Sequence, residues 1–356
     1  MHAGKYVAKW LIRSFGILFI IATLTVGSFF ALRAFGKSEL YKEKEDVVPT
    51  PPEEVVEVQI SEQYDPDVIP YQGELYRYNK DILTFLIMGV DSLNPLPDPN
   101  EIEDYTQGGQ ADTLFLVVVN PHIEEVQIIA INRNSMTEID VYDEDNNYVR
   151  TDLLQVCLQH GYGSGLEDSC ERQVQAVSKL FYDLPIHGYI SMNMAAVPIL
   201  NDSVGGVKLE VMEDIPWGTD VIAHGKGNVV TLEGMDAYYY LQFRDVNIFD
   251  SATMRLARQK QYLNAFAHQA IAETKKDIRF PLSMINALSD YMVTDIDSAK
   301  ITYLASTYLG YSFNMDGIYN LKGETITGGG GFEEFVVDDD ALFDLIISLF
   351  YERIEE

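Results

Sequence analysis

ILTFLIMGVDSLNPLPDPNEIEDYTQGGQADTLFLVVVNPHIEEVQIIAINRN occupies residues 82–134. Ile82 to Val90 is an unbroken apolar run that stops at Asp91, the pattern of a strand buried on both faces. Asp112 and Thr113 open a second strand, LFLVVVN. PHIEE turns the chain, and VQIIAIN runs back to Arg133 and Asn134, which makes a β-hairpin. If the middle strand is antiparallel to its neighbours, the exit at Asp91, the entry at Asp112 and the exit at Arg133 share one edge of the sheet. Any one of these charges alone reads as a solvated strand end. Two carboxylates and arginines together suit a hard divalent cation bridging to phosphate oxygens. The polar loop between the first two strands, Ser92 to Gly109, is longer than most connectors and reads as a lid or binding loop.

Downstream, helical periodicity shows in LLQVCLQHGYGSG and again in CERQVQAVSKLFYD, where Val174, Val177, Leu180 and Phe181 form an apolar stripe. GYISMN reads as a short strand, MAAVPILNDSVGG as a helix stopped by glycines, and VKLEVME as an alternating strand. His160 and His187 read as structural histidines. Thr231 to Ala265 reads as two helices with a polar joint. Gln242 and Arg244 end the first, and Asp250 or Ser251 can cap the second. On that second helix Arg255, Arg258, Gln259 and Tyr262 recur at i, i+3, i+4 and i+7, the spacing of one face. The chain carries 25 Lys+Arg against 55 Asp+Glu, a formal net charge of -30. Against that background, arginines at 244, 255 and 258 beside a helix start suit a phosphate or pyrophosphate; solvated charges on an exposed face are the plainer reading. Residues 283–309 are largely helical, Gly328 to Gly331 form a loop, and DDDALFDLIISLFYERIEE is an amphipathic C-terminal helix. Strands and helices alternate irregularly, so the fold class is α/β or α+β with a mixed central sheet flanked by helices. There is no GxGxxG, P-loop, GxSxG or internal repeat.

Ser14 to Leu32 is free of charge and long enough for a helix to cross a hydrocarbon core of roughly 30 Å. No cleavage pattern follows it, so it reads as an uncleaved single-span anchor. Basic residues flank it on both sides. The short, acid-free N-terminal flank favours a cytoplasmic tail (1–13), a span (14–32), an extracellular stalk (33–80) and an extracellular domain (81–356). KEKEDVVPTPPEEVVEVQ within the stalk reads as extended chain. The acidic balance excludes a general nucleic-acid binder, which would need basic surface to release counterions, and disfavours loose adsorption to anionic lipid. Cys157 and Cys170 are the only cysteines. In an exported domain they are expected to form a disulfide worth roughly 3 kcal/mol in the chain-entropy model; two buried free thiols are the other reading. No histidine stands at metal-ligand spacing beside them, so a zinc site is not expected.

The order of these motifs resembles the LytR-CpsA-Psr family of membrane-anchored envelope phosphotransferases, over about residues 82–265 and more loosely to the C-terminus. The family's Asp-Ser-Arg strand exit is Asp91, Ser92 and Leu93 here. Its Arg-Ser-Asp-Thr strand entry is Gln110, Ala111, Asp112 and Thr113, and its Pro-Arg-Asp exit is Asn132, Arg133 and Asn134. HGYGSG and Gly205-Gly206-Val207 match further motifs. The helix running into Arg-x-Arg matches Leu232 to Arg244, with Gln242 at the first arginine. The closing Gly-Arg-x-x-Arg-Gln matches Arg255, Arg258 and Gln259, with Met254 for the glycine. The resemblance implies transfer of a glycopolymer from an undecaprenyl-pyrophosphate carrier to a peptidoglycan hydroxyl, with Mg2+. Asp91 and Asp112 would hold the metal. Arg133, Arg244, Arg255 and Arg258, with Gln259, would bind the pyrophosphate, and Asp91, Arg133 and Arg244 would carry the chemistry. The lipid tail would lie in an apolar groove between sheet and helices. With the family arginines absent at Leu93, Gln110 and Gln242, the alternative is a weak or inactive member that binds polyprenyl-phosphate lipids as an assembly or regulatory factor.

Overall fold

A computed structural model describes residues 27–42, 48–49, 65, 67–217, 221–245 and 251–354. A helix over residues 27–42 (α1) leads into β1 (Val68–Tyr71), β2 (Glu74–Tyr78), β3 (Leu83–Val90), β4 (Ala111–Asn120) and β5 (Glu125–Ile131). Then come β6 (Met136–Tyr142), β7 (Tyr148–Gln155), a 3-10 helix (Val156–Gly161), α2 (Glu167–Leu180), β8 (Tyr189–Asn193) and α3 (Ala196–Ser203). Short strands β9 (Val207–Glu210), β10 (Ile215–Trp217), β11 (Val221–His224) and β12 (Val229–Leu232) precede α4 (Met235–Gln242) and α5 (Ser251–Lys276). The chain continues through α6 (Phe280–Ala287), β13 (Met292–Thr294), α7 (Ser298–Tyr308), β14 (Ser312–Asn320), β15 (Gly323–Thr327), β16 (Glu333–Val337), α8 (Asp339–Phe350) and β17 (Tyr351–Arg353).

The main sheet runs β13-β8-β3-β4-β5-β14 and is mixed. β4 is antiparallel to β3 and β5, with Met88 opposite Leu114 and Leu116 opposite Ile129. β8 lies parallel to β3, and β14 parallel to β5. The central strands are apolar throughout because both faces are covered. On one face Met88, Leu114 and Leu116 pack with Val177 of α2, with Phe181 just beyond its end, and with Phe343, Ile346 and Phe350 of α8. On the other, Leu83 and Phe85 meet Leu40 of α1 and Ile301 and Tyr303 of α7, while Phe115 and Ile128 meet Leu256 and Leu263 of α5. A satellite core of Val207, Leu232, Tyr240 and Tyr262 locks α4 onto α5 and the β9–β12 ribbon. These layers hold the strand ends fixed, which is what the site needs.

Three expectations are corrected here. The helix expected over LLQVCLQHGYGSG is the end of β7 followed by the 3-10 helix. Leu154 is paired with Thr137 and Gln155 with Met136 of β6, so cross-strand hydrogen bonding overrides the local period. The stalk expected over 33–80 is corrected at both ends. Arg33 Nη2 donates to Thr307 Oγ1 (3.3 Å), Leu40 is buried, and Gly36 lies so close to Ala299 that a built Cβ would sit 2.1 Å from its carbonyl oxygen. Val68 to Tyr78 form a hairpin, and its second strand pairs with the C-terminal β17. Packing therefore begins well before residue 81. The expected disulfide is absent: Cys157 and Cys170 are free and buried. Cys157 Sγ accepts from Arg133 Nη2 (3.4 Å), whereas Cys170 Sγ lies 3.9 Å from His160 Nε2, so each thiol has a different neighbour. Of the expected span, residues 14–26 lie outside the described residues and 27–32 are the first turns of α1. No helix among the described residues is long and apolar enough to cross a membrane.

Candidate anion site at the strand ends

The site begins with a bulge. Gly89 is opposite Thr113, but Val90 is opposite Ala111, so Asp112 is the extra residue in β4. A bulge re-aims the residue it inserts. The backbone N–H groups of Asp91 and Asp112 both donate to the carbonyl of Gln110, at 3.2 and 3.1 Å, which ties the two strand ends together. The Asp112 carboxylate then meets two guanidinium groups. Its Oδ1 pairs with Nη1 of Arg133, and its Oδ2 lies 3.8 Å from Nη1 of Arg255. Burial pushes the Asp112 carboxyl up, Arg133 and Arg255 pull it back, and the neighbouring Asp91 charge raises it further. Burial likewise lowers the Arg255 guanidinium; Asp112 opposes this, and Arg133 and Arg244 add to it. These mutual influences are those of one charge cluster.

The cluster borders open space. Asp91, Asp112, Gln242, Arg244, Arg255 and Gln259 line a pocket of ≈ 340 Å³. Arg244 also lines, with Arg133, Gln110, Cys157, Phe332 and Glu333, a second pocket of ≈ 510 Å³. Arg244 leaves the C-terminal end of α4, and its Nη2 is 3.8 Å from Glu333 Oε2. Arg133 Nη2 also donates to Gln110 Oε1, so the glutamine at a family arginine position steadies Arg133 instead of adding charge. Arg255 and Gln259 reach in from the first turns of α5, near the positive pole of that helix.

Arg258 is the correction. It does not line either pocket and is 1% exposed. Nη1 donates to the carbonyl of Tyr240 and Nη2 to that of Phe243, and Nε pairs with Glu213 Oε1 at 2.7 Å. The guanidinium thus satisfies carbonyls left over at the end of α4 and holds the turn that delivers Arg244. An α-helix advances about 100° per residue, so a four-residue "face" is wide. Arg255 and Gln259 occupy the edge facing the pocket. Arg258 and Tyr262 occupy the edge facing the satellite core, where Tyr262 donates to Asn201 Oδ1 at 3.3 Å. The sequence reading also missed Glu213, which balances Arg258, and Glu333, which approaches Arg244. Glu213 lies in a polar stretch with no visible partner in sequence; the glycine run just before Glu333 was the only available pointer.

His160 is structural, as expected: it is fully buried, and its Nδ1–H donates to the carbonyls of Gly108 and Gly109 at 2.9 and 3.1 Å. Along α5, Phe115, Ile128 and Ala130 of the sheet pack against Leu256 and Leu263, with a cavity of ≈ 30 Å³ beside Asp112 and Arg255. Among the described residues no three His, Cys, Asp or Glu side chains gather as a metal cage. Two adjacent carboxylates do stand together, and Mg2+ takes one or two carboxylates plus substrate phosphates and water. The pair could hold Mg2+ only in that open mode, with Asp112 sharing its oxygens with Arg133 and Arg255, and not as a closed structural site.

The ends of the mixed sheet and of two helices thus bring two carboxylates and three arginines around open pockets in an α/β domain. The LytR_cpsA_psr family model matches residues 34–342, and the chain belongs to that family. Among relatives, the polyisoprenyl-teichoic acid–peptidoglycan teichoic acid transferase TagU of Oceanobacillus iheyensis is 26% identical over 324 residues, covering 90% of this chain and 88% of its own. A Streptococcus agalactiae protein of known structure superposes with a TM-score of 0.59 at 19% identity, over 75% of this chain and 86% of its own. Bacillus subtilis TagV gives 0.54 at 20% identity, over 75% and 95%. These superpositions establish the fold.

Proposed function

We propose that the chain transfers a glycopolymer from an undecaprenyl-pyrophosphate carrier to a peptidoglycan hydroxyl, as a membrane-anchored protein with residues 1–13 cytoplasmic and the bulk outside. The observation that carries this reading is the convergence of Asp91, Asp112, Arg133, Arg244 and Arg255 from two strand exits, one bulge and two helices onto adjoining pockets. The names of the transferase relatives support the substrate class. In the reaction, an acceptor oxygen bonds to the phosphorus that carries the glycopolymer. The pyrophosphate P–O bond breaks, and the prenyl phosphate leaves with the bond's electron pair. The arginines neutralise the phosphate oxygens and hold the groups in line. Asp91, exposed at the pocket wall, orients the acceptor hydroxyl, whose proton is lost to water. Mg2+ held by Asp91 and Asp112 would neutralise phosphate charge when bound.

One observation favours a second reading, a lipid-binding member without turnover. Gln110 and Gln242 stand at the pockets where the family has arginines. Incubating the purified chain with a short-chain prenyl-pyrophosphate saccharide and Mg2+ decides between them. Release of prenyl phosphate supports transfer; tight binding without release supports the second reading.

A further inference from the structure

The long loop between β3 and β4 is an arch over a cavity the anion site does not use. It is fastened at both feet. Met194 N donates to Ser92 O (2.9 Å), Leu96 N donates to Asp290 O (2.9 Å), and Asn193 Nδ2 donates to Asn94 O. At the other foot His160 holds the Gly108 and Gly109 carbonyls, and Gly108 is packed so closely that an added Cβ would lie 2.3 Å from the His160 oxygen. Beneath the arch is a cavity of ≈ 410 Å³, within the size range of small-ligand pockets. Its floor is the ends of β3 and β8, with Ser191 and Asn193 buried there.

The lining has a distinct chemistry. It holds carboxylates, amides, hydroxyls and glycine backbone, but no lysine or arginine, and burial disfavours the charged form of its one histidine. Such a surface repels phosphate. Glu101 and Glu103 at the rim and Asn94 and Gln107 nearby offer hydrogen-bond partners for hydroxyl and amide groups, while Pro95, Leu96 and Ile102 offer a wall for C–H faces. That combination suits a neutral, acetamido-bearing sugar.

The two sites share a partition. Val90 and Ser92 line the arch cavity while Asp91 between them lines the arginine pocket; Gly109 lines the first while Gln110 lines the second. Building on the transfer reading, we infer that the cavity beneath the 92–109 arch is an acceptor-side subsite, anchoring a neutral amino-sugar unit of the glycan next to the wall whose other side carries Asp91.

The test measures equilibrium binding of N,N′-diacetylchitobiose, and separately of a short-chain prenyl pyrophosphate, to the full chain in detergent. Gln107→Trp should weaken disaccharide binding by about tenfold or more and leave pyrophosphate binding unchanged. Glu103→Ala, at an exposed rim position, should weaken the disaccharide several-fold without touching the fold. Arg255→Ala should do the reverse of both. No disaccharide uptake by the wild-type chain, or a loss caused by Arg255→Ala and not by the arch variants, overturns the inference. If pyrophosphate fails to bind but the disaccharide still responds to Gln107→Trp, the subsite stands and the transfer reading falls.

Discussion

The two sides of the β3 exit are chemical opposites. On one side Arg133, Arg244 and Arg255 surround two carboxylates. On the other, the arch cavity has acidic and amide groups and no cation. The same short stretch walls both, with alternate residues on each side, because successive side chains of an extended strand point to opposite sides, and the Asp112 bulge shifts that alternation in β4. In a protein with a formal net charge of -30, arginines are thus concentrated on one side of the β3 exit and are absent from the lining of the cavity on the other. A similar division occurs within α5, where Arg255 faces ligand space and Arg258, almost a turn later, faces carbonyls.

The largest effect should come from breaking the brace behind the arginine pocket. Arg258→Met leaves Glu213 and the α4 carbonyls without their partner. Removing one member of a buried pair costs about 3 kcal/mol or more, which a urea denaturation midpoint reads directly. Arg255→Ala should instead cost about 2 kcal/mol of prenyl-pyrophosphate affinity, measured by titration calorimetry. Its denaturation midpoint should shift less than that of Arg258→Met, because Asp112 keeps Arg133. Equal midpoint shifts in the two variants would erase the distinction drawn along α5.

On the arch side, burial lowers the His160 pKa below its usual 6.5. The unfolded chain therefore binds more protons than the folded one below pH 6.5, so stability is full above that value and falls as the pH drops through it. Each tenfold drop in the proton affinity of the folded state corresponds to a loss of at most about 1.4 kcal/mol. Melting curves between pH 7.5 and 5 should show it, and His160→Gln should flatten the dependence. The smallest effect sharpens the contrast: Gln242→Arg adds a guanidinium to the anion pocket and should tighten pyrophosphate by about 1 kcal/mol while leaving disaccharide binding alone. Tighter disaccharide binding in that variant would mean the two spaces are one.

Much of this was legible in the sequence. The run Ile82 to Val90 and the hairpin behind it predict three central strands in the observed order, and strand-end charges at Asp91, Asp112 and Arg133 do meet. What was not legible depended on partners distant in sequence. LLQ of β7 has a helical local period and becomes a strand only because β6 lies beside it. Arg258 carries the same spacing signal as Arg255, and only the position of Tyr240, Phe243 and Glu213 separates their roles. Two lone cysteines in an expected exported domain suggest a bond, yet one thiol faces Arg133 and the other faces His160. Charge in the 38–46 segment suggested a stalk and hid the apolar side on which α1 meets α7.

The central claim is that the cluster at the β3 and β4 ends performs phosphoryl transfer. Its most direct test is Mg2+-dependent release of prenyl phosphate from a prenyl-pyrophosphate saccharide by the full chain, compared with Asp112→Asn and Arg244→Ala. The account predicts release by the wild-type chain, a fall of about a hundredfold or more in each variant, and loss of the Mg2+ dependence in Asp112→Asn, since an amide is a far poorer ligand for a hard cation. Release that is equal in all three proteins would contradict it.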